Sequence, residues 1–137
     1  MQSIIELTES DKDKLLASLP IISKNMDHFV VKFYSYFLQT EASQLFHKTE
    51  MEKQFKMFHS SLGVIISHIE HPAFLEEHLN SIIESHKKYG VKMIHVEGFI
   101  DSFMKALSDI YGNEFSTYQN LWHSVISIIM HYFSDRI

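Results

Sequence analysis

A chain of 137 residues, 45% hydrophobic and 21% charged, has the balance of one soluble globular domain large enough for a real core. Its net charge of −5, with no basic cluster longer than Lys87-Lys88, argues against nucleic acid as a partner. The lack of cysteine excludes disulfides, thiolate metal sites and cysteine nucleophiles.

The first residues, "MQSIIELTESDKDK", lack the basic start and apolar run of a secretory signal. No apolar stretch approaches the ~20 residues needed to cross a bilayer. The expectation is a soluble, cytoplasmic protein, one domain over 1–137, with no membrane contact.

In chain order, "LTESDKDKLLASLP" reads as a helix capped by Thr8 or Ser10, with acids in its first turn and an end near Pro20. Pro20 would then open a second helix as its first residue. That helix carries Ile22, Met26, Phe29, Val30, Phe33 and Phe37 at spacings of three and four. A polar bend, "QTEASQLFHKTE", leads to the long helix "MEKQFKMFHSSLGVIISHI", closed by the step His71-Pro72. Helices over about 73–88, 92–111 and 115–136 complete the chain, with breaks at Gly90 and at "YGNEFS". Four glycines, two prolines and no alternating stretch bounded by turn pairs leave no room for a sheet. The fold class is all-α.

Within "SIIESHKKYGV", Leu79, Ile82 and Ile83 mark an apolar helix face, and His86 falls on that face. Glu84, Lys87 and Lys88 take the solvent side. Burying an imidazole costs free energy unless both nitrogens are satisfied. An aromatic content of 13% with seven methionines either fills a core or lines a slot for a flat apolar ligand. A haem in such a slot would give His86 a partner, because its iron takes a neutral imidazole as axial ligand.

"FY" at 33–34, "LF" at 45–46, Gln54, "HKKYGV" at 86–91 and Trp122 occur in an order that resembles bacterial single-domain globins and the globin domains of flavohaemoglobins. The resemblance covers about residues 5–135, and its most specific part is H-x-x-Y-G-V, 32 residues after Gln54. It implies a globin fold of about six to eight helices around a haem pocket, holding haem b. It also implies His86 as proximal iron ligand, its other nitrogen donating to a carbonyl one turn earlier. Phe46 resembles the phenylalanine wedged against the porphyrin. Tyr34 and Gln54 resemble the distal pair that donates to a bound gas, with Phe58 one turn further along. Ile82, Val91, Val96 and Phe99 are the expected apolar contacts around the macrocycle. His59 follows Phe58 directly, so it points about 100° from that edge, and a distal role would need a one-residue shift in register. The remaining histidines are scattered and form no metal-ligand set.

The chain also departs from the family pattern. Flavohaemoglobin globin domains back the proximal histidine with a tyrosine and a glutamate, and the corresponding positions here are Val96 and about Ile137. The stretch from Tyr34 to Phe46 is shorter than in those domains, a feature that resembles globin-coupled sensors and makes Tyr36 the fallback for Tyr34. Two functions follow from the resemblance. One is reversible binding of O2, NO and CO, with NO dioxygenation fed by an external reductase. The other is gas sensing through a homodimer interface. For the second, "LWHSVISIIMHYF" offers Val125, Ile126, Ile128, Ile129 and Tyr132 to the core on one side and a partner on the other. As a monomer the same helix would be buried in its own core.

Overall fold

The computed structural model describes residues 5–137. It contains six α-helices, α1 (Glu9–Lys24), α2 (Met26–Phe37), α3 (Met51–Ser67), α4 (Pro72–His86), α5 (Met93–Tyr111) and α6 (Phe115–Arg136), and no strand among the described residues. Short 3-10 helices join α2 to α3 (Glu41–Phe46), α4 to α5 (Lys87–Tyr89) and α5 to α6 (Gly112–Glu114).

Thr8 caps α1, its hydroxyl accepting the Asp11 N–H at 3.1 Å, and Glu9 and Asp11 lie in the first turn where the helix dipole favours acids. The expected break at Pro20 does not occur. α1 runs through Pro20 to Lys24, and the chain turns at Asn25 instead. Proline removes one helical N–H, a cost of about 3 kcal/mol in a helix interior. Burial of Leu15, Ser18 and Ile22 on one stripe keeps the helix going past it. Asn25 then closes the turn, its side-chain amide donating to the Ile21 carbonyl at 2.7 Å.

α2 buries Met26, Phe29, Val30, Phe33, Tyr34 and Phe37, the face expected from the spacing. That face lies along α5, with Phe29 against Phe103 at 5.0 Å and Phe33 against Phe99 at 4.9 Å between ring centroids. Gly98 on α5 lets Thr40, in the turn after α2, come close, since a Cβ there would sit 3.2 Å from the Thr40 side chain. α3 ends at Ser67, short of the His71-Pro72 step, and Pro72 opens α4 as its first residue. α4 ends at His86. Gly90 then takes a left-handed conformation (φ 68°) that turns the chain toward α5.

A buried polar node ties three helices together. Ser18 on α1 takes the Tyr111 hydroxyl on its carbonyl at 2.9 Å and the Trp122 indole N–H on its Oγ at 3.0 Å. Trp122 and Tyr111 thereby fix α6 and α5 to α1.

The layout sets up the site. α5 is packed mainly by α2, α6, α1 and the 3-10 helix Glu41–Phe46, whereas α3 leans on α2 and α4, and α4 on α6. Side chains such as Phe58 and Phe99, 6.0 Å apart, bridge α3 and α5. The α6 run proposed as two-faced turns mostly inward. Val125, Ile126 and Ile129 are buried, and Tyr132 donates to Asn80 on α4 at 2.9 Å. Of those five residues, only Ile128 is exposed. No helix among the described residues is long and apolar enough to cross a membrane.

Candidate functional site

His86 is the last residue of α4 and is half-buried. Its Nδ1 lies 2.7 Å from the Ile82 carbonyl one turn earlier. A carbonyl can only accept, so Nδ1 carries a proton, and in the neutral ring Nε2 keeps a lone pair. That is the tautomer a metal ligand needs. The Ser85 hydroxyl stands 3.3 Å from the same nitrogen, and the rings of Tyr89 and Phe133 flank the imidazole at 5.6 and 5.5 Å. Neither Tyr89 nor Phe133 was expected there from the sequence. Phe133 reaches it from α6, a contact no local pattern could reveal.

The tyrosine and glutamine come together across two helices. The Gln54 amide on α3 donates to the Tyr34 hydroxyl on α2 at 2.8 Å. Tyr34 is only 2% exposed, and burial pushes its pKa up to about 12, with the Gln54 hydrogen bond opposing the rise. The phenol therefore stays protonated. Each group has more than one hydrogen-bonding function, so whichever way the amide is turned the pair keeps a donor to spare. Phe55 stacks on Tyr34 at 5.1 Å and Phe46 meets it edge-on at 6.0 Å. Phe55 was missed because a residue next to Gln54 reads as turned away from it on an ideal helix. Tyr36 is placed elsewhere, its hydroxyl on Asp109 of α5. The fallback register is not needed to bring a tyrosine to Gln54.

The expected apolar lining divides into two kinds. Phe46, Phe58, Ile82, Val91 and Phe99 are partly buried, each packed on the core while leaving surface uncovered. Val96 is 1% exposed and sits wholly within the core. Phe58 packs against Phe33 at 4.7 Å and Tyr34 at 5.5 Å, which joins the lining to the buried phenol.

The other histidines make local or surface contacts. His59 pairs with Asp27 at 3.2 Å, facing a shallow cavity of about 290 Å³ at the turn between α1 and α2. His78 meets Ser61 at 3.0 Å, and His68 and His131 bond carbonyls four residues back. His95 accepts the Lys92 N–H at 2.9 Å and caps α5. No group of three or more His, Asp or Glu residues that could hold a metal ion occurs among the described residues.

These features fit haem. Its porphyrin already supplies four nitrogens, so a single imidazole with a free Nε2 suffices where a bare metal ion would need a cluster. Partly covered aromatic and aliphatic side chains are the surface a flat apolar macrocycle would cover. Ile137, like Val96, is apolar, so neither position offers His86 a hydrogen-bonding side chain. No curated protein matches the chain. A model of the family described as Globin matches residues 32–133, well over half its length and spanning Tyr34, Gln54 and His86. The chain therefore belongs to the globin family and is, as such, a haem-binding protein that takes a gas ligand such as O2.

Proposed function

We propose that this globin holds haem b through His86 and converts NO to nitrate with bound O2, using electrons from a separate reductase. The observation that carries the reading is the pair formed by buried Tyr34 and half-buried Gln54, 2.8 Å apart and still holding an uncommitted donor. When bound, haem supplies an iron that accepts His86 Nε2 and a diatomic gas. Tyr34 and Gln54 would donate to the gas, and the burial of Tyr34 would strengthen its hydrogen bond by excluding water. Ile82's carbonyl fixes the His86 ring. A neutral carbonyl acceptor gives the imidazole little imidazolate character, and Val96 and Ile137 add none, so peroxidase activity should be weak. The overall change, NO plus O2 plus one electron giving nitrate, balances and leaves the electron to be supplied from outside. A cytoplasmic location and a bacterial origin are part of the same proposal.

Absorption spectra of ferric, ferrous and CO-bound protein test the cofactor. Mixing O2-loaded protein with NO should give nitrate and ferric protein at once, with continued turnover only after a reductase is added. If NO consumption with a reductase stays at background while light scattering shows mass changing between deoxy and CO forms, the chain is a gas sensor instead. The inward packing of α6, which exposes only Ile128 of its five proposed contact residues, favours the enzyme.

A further inference from the structure

The reading above requires an electron donor, and the α4–α5 corner has the composition of a docking surface. From Ser85 to Val96 the sequence holds Lys87, Lys88 and Lys92 and no acid, in a chain whose net charge is −5. Lys87 shares its charge with Glu84 at 3.0 Å, while Lys88 and Lys92 have no ion pair among the described residues. Tyr89 is 50% exposed, Met93 46% and Ile94 50%, which concentrates three large exposed hydrophobics in one short corner. An apolar centre with a charged rim is the usual make-up of a protein interface, and the charge selects the partner. The corner also connects directly to His86. The Tyr89 ring meets the imidazole at 5.6 Å, and Lys88 Nζ lies 5.3 Å from the centre of the Tyr89 ring.

We propose that Lys87, Lys88, Tyr89, Lys92, Met93 and Ile94 form the docking face for a small acidic one-electron carrier protein. This rests on the haem reading above. A second copy of the chain is the poorer occupant, because a two-fold contact would set this basic patch, with Lys88 and Lys92, against another of the same sign. In the complex the reduced carrier would give up one electron to the haem that His86 would hold, taking ferric iron to ferrous. No bond forms or breaks and no proton moves.

The probe is an acidic plant-type [2Fe–2S] ferredoxin, titrated in its oxidised form into haem-loaded protein by calorimetry at low salt. Replacing both lysines (Lys88→Glu with Lys92→Glu) should weaken binding roughly tenfold or more, and raising salt from about 20 to about 200 mM should weaken wild-type binding similarly. The milder pair Lys88→Gln with Lys92→Gln should fall between, which guards against misfolding of the reversed variant. Reduction by ferredoxin should slow in the same order, while reduction by dithionite stays unchanged. Equal ferredoxin affinity in wild type and both variants would overturn the proposal. So would self-association that the glutamate variant abolishes, or binding to phosphatidylserine vesicles in place of ferredoxin. Loss of haem on reconstitution would instead defeat the haem reading, and the binding heat separates the two failures.

Discussion

His86 takes its orientation from a carbonyl four residues earlier on its own helix, whereas Tyr34 is held by Gln54, twenty residues later and on another helix. The first contact belongs to one helical turn and survives as long as α4 does. The second exists only when α2 and α3 are packed, and its Tyr34 end is almost sealed from water. The local bond is also less distinctive, since His68 and His131 make it too, to Val64 and Ser127. What separates His86 from them is its surroundings, a half-buried ring between Tyr89 and Phe133 next to partly covered apolar side chains. The His86 side, proposed as proximal, is thus defined by its setting, and the Tyr34–Gln54 side, proposed as distal, by a specific pair.

The strongest way to break this contrast is to exchange histidines that share the local bond. His86→Ala should abolish or severely weaken haem retention, because it would remove the bond to iron proposed for this residue. His68→Ala loses the same kind of backbone bond and should leave haem stoichiometry unchanged. Reconstitution followed by gel filtration and absorbance checks both, and haem retained at full stoichiometry by His86→Ala would refute the proximal assignment.

Alkaline titration separates the buried side from the half-exposed one. Burial raises Tyr34 and Tyr111 to about 12 from an ordinary value near 10. Between those values the unfolded chain has lost protons that the folded one retains, so stability falls as pH rises. The contribution is intact below about pH 10 and is lost through about pH 12, at most about 2 to 3 kcal/mol for each tyrosine. Denaturant unfolding from pH 9 upward should show that decline, and Tyr34→Phe should remove about half of it. A flat profile would mean that the phenols are not sealed off in solution.

The finest test uses two tyrosines on one helix. On the proposed distal role, Tyr34→Phe would remove a hydrogen bond to a partly charged gas, worth ~1.5–3 kcal/mol, so O2 dissociation should quicken roughly tenfold or more. Tyr36→Phe loses only the exposed bond to Asp109 and should leave the off-rate unchanged. Stopped-flow measurement on both variants decides the register, and the reverse result would assign the distal role to Tyr36.

The sequence by itself determined the helices and the candidate side chains. Spacings of three and four placed Phe29, Phe33 and Phe37 inward, and the same arithmetic put His86 beside Ile82 and Ile83, because helical periodicity is a local property. It misjudged Pro20, where burial of Ile22 outweighed a helix breaker, and it missed Phe55 and Phe133, whose positions depend on neighbouring helices. Tertiary structure alone chose Tyr34 over Tyr36 as Gln54's partner, turned Val125, Ile126 and Ile129 inward, and tied Trp122 to Ser18 across 104 residues. The physical reason is that a residue's face follows from its own helix, whereas its partner depends on how the chain closes its loops and where neighbouring helices bury their surfaces.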